Sequence, residues 1–352
     1  MLALAAPSDA QYRIQPVAER PAHDALGLVL RRLASVGSLM MTTAHPDDEN
    51  TALLSMYRHR NGIRTTLVSA TRGNGGQNEI GPELFEALAV LRTEELLAAH
   101  RLDGAEQYFT RAVDFGYSFS RDETYERWDR KKMLEDYVRW IRIIRPDVIV
   151  GFIWDHTRGG GQHHQASSAI TAEAFRAAAD AARFPDQIAE GLRPWQAAKF
   201  YYTAPFFGGM PLSSPPEQIC TVDGNHFDPL LGMTYNELGS QARSMHKCQG
   251  MSQIYSLPGP QPRQYVLHDT VLELPPADLN KDMMAGVDTR IRSLARFGQG
   301  ASPVLALALE AFEGQVRNAQ FTFESKGTAA VVPVLAQTLT TVRALRQQLP
   351  NM

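Results

Sequence analysis

Short strand-forming runs alternate with longer amphipathic stretches between residues 37 and about 205. The short runs are apolar or β-branched and are bounded by Gly, Pro or polar residues, which is typical of strands, whereas the longer stretches have helical spacing. We predict strands at 38–43, 64–70, 107–110, 147–152 and 199–203. We predict the intervening helices at 49–60, 82–102, 130–144 and 164–182.

Strands that alternate with helices of this length imply right-handed βαβ units. The fold class predicted is therefore α/β, with a Rossmann-like, mostly parallel sheet and helices on both faces. We place this domain at 36–270, after an N-terminal extension at 1–35. Many prolines between 205 and 265 predict loops there. Helical patterns within 271–352 predict a helical extension or the start of a further domain.

Composition narrows the class of protein. The chain has 352 residues, 44% of them hydrophobic, and a net charge of −3, which argues against a broad nucleic-acid-binding surface. We find no uninterrupted apolar run of the ~20 residues that cross a bilayer, so no transmembrane segment is predicted. The Ala-rich start favours export over a cytoplasmic location, although it lacks a basic n-region. Cys220 and Cys248 are either unpaired thiols or, after export, a disulfide.

Ligands of such sheets bind beyond the carboxyl ends of the strands. We therefore expect a ligand near the loops at 44–49, 71–79 and 153–164. The glycines at 73–76 lack the spacing of a dinucleotide-binding loop. The loop at 44–49 instead holds one imidazole and three carboxylates. His45 and Asp48 are spaced to converge on a dication such as Zn²⁺, and Asp47 would then be free to act on water. The alternative is that Asp47 or Asp48 caps the next helix.

A third ligand is expected from the loop after the fourth strand. His163 and His164 are adjacent there, and neighbouring histidines do not easily bind one ion, so one is a ligand and the other lies beside the site. The alternative is that both are ordinary loop residues. Two histidines, one carboxylate and an open position are typical of catalytic zinc, which activates water for amide or ester hydrolysis.

Several blocks of sequence together resemble a known family. Ala-His-Pro-Asp-Asp-Glu at 44–49 and Thr-Arg-Gly-Asn-Gly-Gly-Gln at 71–77 are similar to signatures of the PIG-L and LmbE-like zinc deacetylases, which remove acetyl groups from N-acetylglucosamine-type sugars. Further similar blocks lie at 92–95, 111–118, 163–166 and 243–249. The resemblance covers roughly residues 36–260, with the blocks in order.

The resemblance implies roles for individual residues. His45, Asp48 and His164 match the metal ligands of the family, for Zn²⁺ or another divalent metal such as Fe²⁺, and Asp47 matches its general base. Two further residues, Arg72 and Asp114, match substrate-binding positions of the family. A guanidinium and a carboxylate would also suit a polyhydroxylated ligand. The alternatives are a surface ion pair for Arg72 and a turn acid for Asp114.

One position departs from the family pattern. Gly161 stands where the family commonly has a histidine that steadies the oxyanion or the leaving group. His163, His246 or His156 could supply that catalytic donor, or each could be structural.

The sequence as a whole predicts a zinc-dependent hydrolase that removes an acetyl group from an N-acetylated amino sugar or its conjugate. The expected partner is a small-molecule or oligosaccharide N-acetyl sugar. The alternatives are an amidase acting on a larger sugar or thiol conjugate, and a carbohydrate-binding protein on the same scaffold. Retention of Asp47 favours an enzyme, because a binding protein has no need of a poised base.

Overall fold

The structure is a computed structural model that describes residues 20–153, 161–204, 214–251, 259–297 and 303–348. A seven-stranded sheet lies at its centre, in the order β3-β2-β1-β4-β5-β9-β6. These strands are β1 (Ser38–Thr43), β2 (Arg64–Ser69), β3 (Glu106–Phe109), β4 (Val148–Ile153), β5 (Lys199–Thr203), β6 (Ile219–Val222) and β9 (Arg263–Thr270). A separate two-stranded ribbon consists of β7 (Phe227–Asp228) and β8 (Met233–Thr234).

Eleven α-helices are assigned within the described residues. They are α1 (Ala22–Leu33), α2 (Thr51–Ser55), α3 (Phe85–Asp103), α4 (Arg121–Trp128), α5 (Arg130–Ile144), α6 (Gln162–Ala177), α7 (Pro185–Ala189), α8 (Tyr235–Arg243), α9 (Pro276–Leu279), α10 (Pro303–Lys326) and α11 (Thr328–Gln348). A π-helical turn, Met56–Arg60, continues α2, and 3₁₀ turns occupy Pro216–Gln218, Lys247–Gln249 and Ile291–Phe297.

The predicted fold class is confirmed. Strands β3, β2, β1, β4 and β5 run parallel, and β9 is antiparallel to both of its neighbours, β5 and β6. The proline-rich segment predicted as loop also contains β6 and α8, because prolines outside an element do not prevent short elements between them.

Two apolar cores cover the two faces of the sheet. On β1, Leu39 and Met41 contribute to one core and Met40 to the other, as alternation along a strand requires. Helices α2, α3 and α8 supply residues to the first core, and α5 and α6 to the second. All six residues of β1 are buried, which is typical of a central parallel strand.

The predicted C-terminal helices are present as α10 and α11. Helix α10 packs against α11 and also against α1 near the start of the described chain. Two small apolar clusters hold these elements together: Ile291, Leu305, Leu309, Phe312, Val316 and Leu345 form one, and Leu30, Ala319, Phe323 and Val331 form the other.

Part of helix α11 is long and apolar. Thr328–Arg346 is 19 residues long, has a mean hydropathy of 1.3 and is 17% buried in the structure. Length and composition alone would let it cross a bilayer. One such helix is weak evidence for a span, since helices of soluble proteins reach the same values, and here it packs on α10.

Candidate active site

The turn from β1 into α2 positions the first site residues. Asp48 turns its carboxylate back along the chain, and its Oδ2 accepts backbone N–H groups from Ala44 at 3.1 Å and His45 at 2.8 Å. The cap of α2 is Asn50, whose Oδ1 accepts the backbone N–H of Leu53 at 3.0 Å. The alternative that Asp47 or Asp48 caps α2 is therefore wrong, because Asn50 is the N-cap of this helix.

Three predicted ligands lie together at the carboxyl edge of the sheet. His45 Nδ1 is 3.2 Å from His164 Nε2 and 3.5 Å from Asp48 Oδ2, and His164 Nε2 is 3.1 Å from Asp48 Oδ1. Ligand atoms about 2.0–2.1 Å from a tetrahedral ion are separated by roughly 3.3 Å, so these separations fit one divalent cation. The first turn of α6 carries His164 to this point, as the resemblance implies.

The other ring nitrogen of His45 faces a second possible donor set. Its Nε2 lies 3.0 Å from His163 Nδ1 and 3.9 Å from Asp114 Oδ2, and His163 Nδ1 lies 3.7 Å from Asp114 Oδ1. These three groups could also hold a metal ion. A neutral imidazole has only one nitrogen free to bind an ion, so a neutral His45 serves one set at a time.

Accessibility favours the set that contains Asp48. The side chains of His45 and His164 are 14% and 16% exposed, whereas that of His163 is 2% exposed. A catalytic metal keeps an open position, which a buried set does not offer. With an ion on Nδ1, the His45 Nε2–H would donate to His163 Nδ1, which suits a neutral His163: burial and the charge of His45 lower the pKa of His163 to about 4.

Asp47 is held in an unusual backbone conformation by four neighbours. Its φ of 104° is rare for a residue other than glycine and costs free energy. Its N–H donates to Glu49 Oε2 at 2.8 Å, and its carbonyl accepts from Arg243 at 2.6 Å. Its carboxylate accepts from Gln249 Nε2 at 2.9 Å and lies 3.3 Å from Arg92 Nη2. These contacts fix both the backbone and the carboxylate of Asp47.

Three of the residues that contact Asp47 are far from it along the chain: Arg92, Arg243 and Gln249. No role was predicted for them from the sequence. They lie in blocks that resemble the family, but spacing along the chain does not show that segments so far apart meet at residue 47. Gly73 makes part of this packing possible, since a Cβ there would lie 2.3 Å from Arg92 Nη1 and its φ is +70°.

The two adjacent carboxyl groups have pKa values shifted in opposite directions. Burial raises the pKa of Asp47, the neighbouring Asp48 raises it further, and Arg92 opposes the rise. Burial would also raise the pKa of Asp48, but the charge of His164 and hydrogen bonds from His164 and His45 hold it well below its usual value. A raised and a lowered pKa side by side are the arrangement expected of a base next to a permanently anionic ligand.

His246 is placed against Glu49. Its Nε2 lies 2.7 Å from Glu49 Oε1, and both side chains are fully buried. Burial would raise the pKa of Glu49, but the charge and hydrogen bond of His246 lower it. Because Glu49 also accepts the N–H of Asp47, His246 reaches Asp47 only through Glu49. The contact supports a positioning role, and a direct catalytic role for His246 stays a prediction.

Breaking this buried pair should destabilise the protein. We expect His246→Ala to lower the free energy of unfolding by about 3 kcal/mol, because it leaves the Glu49 carboxylate buried without its partner. The measurement is the urea midpoint and slope, with His246→Gln as a partly rescuing variant that retains a donor. A loss under about 1 kcal/mol would contradict a structural role for the pair.

The two predicted substrate-binding residues have different surroundings. Arg72 is exposed, places its guanidinium 3.9 Å above the Phe109 ring and donates to Thr93 Oγ1 at 3.1 Å. Asp114 is buried beside His45 and His163, and its Oδ1 accepts the N–H of Gly116 at 2.9 Å. Asp114 is thus both a turn acid and a member of the histidine cluster, and substrate binding by either residue stays a prediction.

Gly161 marks the start of α6 with ordinary backbone angles. A Cβ at this position would lie 3.7 Å from the Tyr117 ring, which is normal contact, so a side chain has room there. Of the residues considered as its replacement, His163 lies in the cluster and His246 lies against Glu49. His156 lies outside the described residues.

Fold and site together define a Rossmann-like α/β protein with two histidines and an aspartate positioned for a metal. Residues 40–175 match the model of the PIG-L family, described as GlcNAc-PI de-N-acetylase. The resemblance inferred from the sequence blocks is thus confirmed over these residues.

Curated relatives extend the comparison. A 1D-myo-inositol 2-acetamido-2-deoxy-alpha-D-glucopyranoside deacetylase of Streptomyces scabiei is 32% identical over 189 residues, with 48% of this chain and 57% of the relative covered. The enzyme of that name from Thermobispora bispora is 31% identical over 185 residues, with 47% and 58% covered. The chain thus spans less than two thirds of the length of these relatives.

A solved structure is also similar. It is the N,N'-diacetylchitobiose deacetylase of Pyrococcus horikoshii, which is 14% identical with a TM-score of 0.47, over 74% of this chain and 92% of that one.

Proposed function

We propose that this protein is a metal-dependent deacetylase of N-acetylglucosamine-type conjugates, with zinc as the metal. The observation that carries the proposal is the meeting of His45, Asp48 and His164 within 3.5 Å of one another, next to Asp47, which four neighbours hold in place. The match to the PIG-L family model supports the reaction class, and the names of the curated relatives support the class of substrate.

Each residue has a chemical task in this proposal. His45, Asp48 and His164 would hold the divalent cation, which when bound polarises the acetyl carbonyl and lowers the pKa of water. Asp47 accepts the proton of the attacking water and returns it to the amine as the C–N bond breaks. Its raised pKa makes Asp47 a stronger base than an ordinary aspartate. His163 accepts the His45 Nε2–H and so fixes the tautomer of the ligand.

Substrate recognition is assigned to Arg72 and Asp114. Asp114 approaches the cluster from the loop after β3, and the loop after β2 packs closely on that segment: a Cβ on Gly75 would lie 2.1 Å from the Gly116 nitrogen. Both loops therefore meet at the edge where the acetylated sugar would bind. We propose that Asp114 accepts a sugar hydroxyl and that Arg72 contacts the sugar or its substituent.

The direct test is acetate release by the zinc-loaded protein. N-acetylglucosamine and its α-linked inositol conjugate should be compared at equal concentration, with chelator-treated protein as the control. We expect release that requires the metal, and faster release from the conjugate. Absence of release from either sugar, with zinc bound, would contradict the proposed activity and favour a larger substrate or a binding role.

A further inference from the structure

A pocket lies at the edge of the sheet opposite to the candidate active site. Its lining comes from α1, from the π-helical turn before β2 and from the end of α3 before β3. The strands begin here, whereas His45, Arg72 and His164 follow the strands. The pocket has an empty volume of about 450 Å³, which includes the open solvent at its mouth.

Four arginines line this pocket: Arg20, Arg32, Arg58 and Arg101. No carboxylate is among the lining residues that belong to the described part of the chain. None of the four side chains makes a hydrogen bond or an ion pair with another residue in the described ranges. Four guanidinium groups around one cleft repel each other, so their approach needs either compensating anions or a cost in stability.

Asp24 attracts Arg20 without a hydrogen bond between them, and three other carboxylates that act on the cluster are already bonded to other groups. Glu106 accepts from Arg64 at 3.0 and 2.7 Å and from Tyr108. Asp103 accepts from His100 at 2.9 Å and from the backbone N–H of Ala105. Asp228 binds Arg31 and Tyr235. Their charges moderate the cluster from outside without forming hydrogen bonds to the four arginines.

The strongest observation in this pocket concerns the side chain of Arg58. It is only 8% exposed, its stem lies against Gly104, where a Cβ would come within 2.7 Å of Arg58 Cγ, and it has no partner in the part of the chain that the structure describes. Burial, and then Arg32, lower its pKa to about 10, so it stays charged at neutral pH. The Nε of Arg20 is a buried donor that has no acceptor among the described residues. Buried guanidinium donors without acceptors are costly and are normally satisfied.

We propose that this arginine pocket, formed by Arg20, Arg32, Arg58 and Arg101, binds a phosphate group. A tetrahedral oxyanion supplies several acceptors at once and neutralises the cluster, and a guanidinium fork is matched to phosphate. The group belongs either to free phosphate or to a small phosphorylated metabolite. This site is independent of the proposed deacetylase reaction, because it shares no residue with it.

Calorimetric titration tests the proposal, with inorganic phosphate and glucose 6-phosphate as probes at constant ionic strength. We expect one saturable event in the wild-type protein. Arg58→Met should weaken it at least about tenfold, since it removes charge-assisted hydrogen bonds and keeps most of the stem. If that variant does not fold, the more accessible pair Arg32→Gln with Arg101→Gln should give a similar loss.

A charge-matched control separates the pocket from a general effect of charge. Arg193 and Arg343 are exposed arginines outside the pocket, and their double replacement by Gln should leave the affinity within about twofold. The same titration in His164→Ala excludes binding at the candidate metal site. Tighter binding of the ester identifies a phosphorylated metabolite, and equal binding identifies free phosphate. No saturable event in the wild type, or unchanged affinity in both pocket variants, would overturn the proposal.

Discussion

Asp47→Asn should slow deacetylation by about 10²–10⁴-fold and leave metal binding unchanged. The amide cannot accept the proton of the attacking water, and the loss of a positioned base has a cost of this size. Asn is the replacement of choice because, like Asp, it tolerates a positive φ better than most residues, and φ at this position is 104°. The measurement is kcat for acetate release together with bound zinc per chain.

Asp47→Ala is the variant to compare with Asp47→Asn. Asp47→Ala also removes the base, but it forces Ala into the positive-φ conformation and loses the contacts with Gln249 and Arg92, so it should also be less stable. Activity near that of the wild type in the Asn variant would show that another group takes the proton.

Asp48→Ala should abolish tight zinc binding, and with it the activity. It removes the only carboxylate that lies within 3.5 Å of both His45 Nδ1 and His164 Nε2 among the described residues. It also leaves two backbone N–H groups, those of Ala44 and His45, without their acceptor, so a lower stability is expected. Zinc affinity should be measured by competition with a chromogenic chelator on protein shown to be folded by circular dichroism.

Asp114→Asn is the matched comparison for Asp48→Ala. Asp114 belongs to the other donor set around His45, so this variant should keep stoichiometric zinc and weaken substrate binding, seen as a raised KM. The reverse pattern, with zinc lost in Asp114→Asn and kept in Asp48→Ala, would assign the ion to His45 Nε2 and His163.

The central sheet could be predicted from sequence because its signals are local. The observed bounds of β1 and β5 match the predicted ranges, since both strands are short buried runs bounded by loop residues. Strands β6 and β9 were not predicted. They pair with each other in antiparallel fashion although more than forty residues separate them along the chain, and a local pattern does not show such a pairing. Helix α2 begins at Thr51, two residues later than predicted, because the acidic residues before it turn towards the site and Asn50 caps the helix.

The candidate site divides in a similar way. The candidate ligands His45 and Asp48 could be proposed from their residue types and their place after a strand. The choice of His164 over His163 depended on the resemblance to the family. The contacts of Asp47 with Arg243 and Gln249 could not be proposed from the sequence, because they depend on where a segment nearly two hundred residues away folds back. The hydrogen bond between His246 and Glu49 could not be predicted for the same reason.

The most direct test of the central claim is a crystal structure of the zinc-loaded protein with anomalous data collected at the zinc edge. We predict a single strong peak about 2.0–2.2 Å from His45 Nδ1, an Asp48 carboxylate oxygen and His164 Nε2, with the His45 Nε2–H directed at His163. A peak between His45 Nε2, His163 and Asp114, or no peak near His45 in protein that binds zinc in solution, would contradict the account.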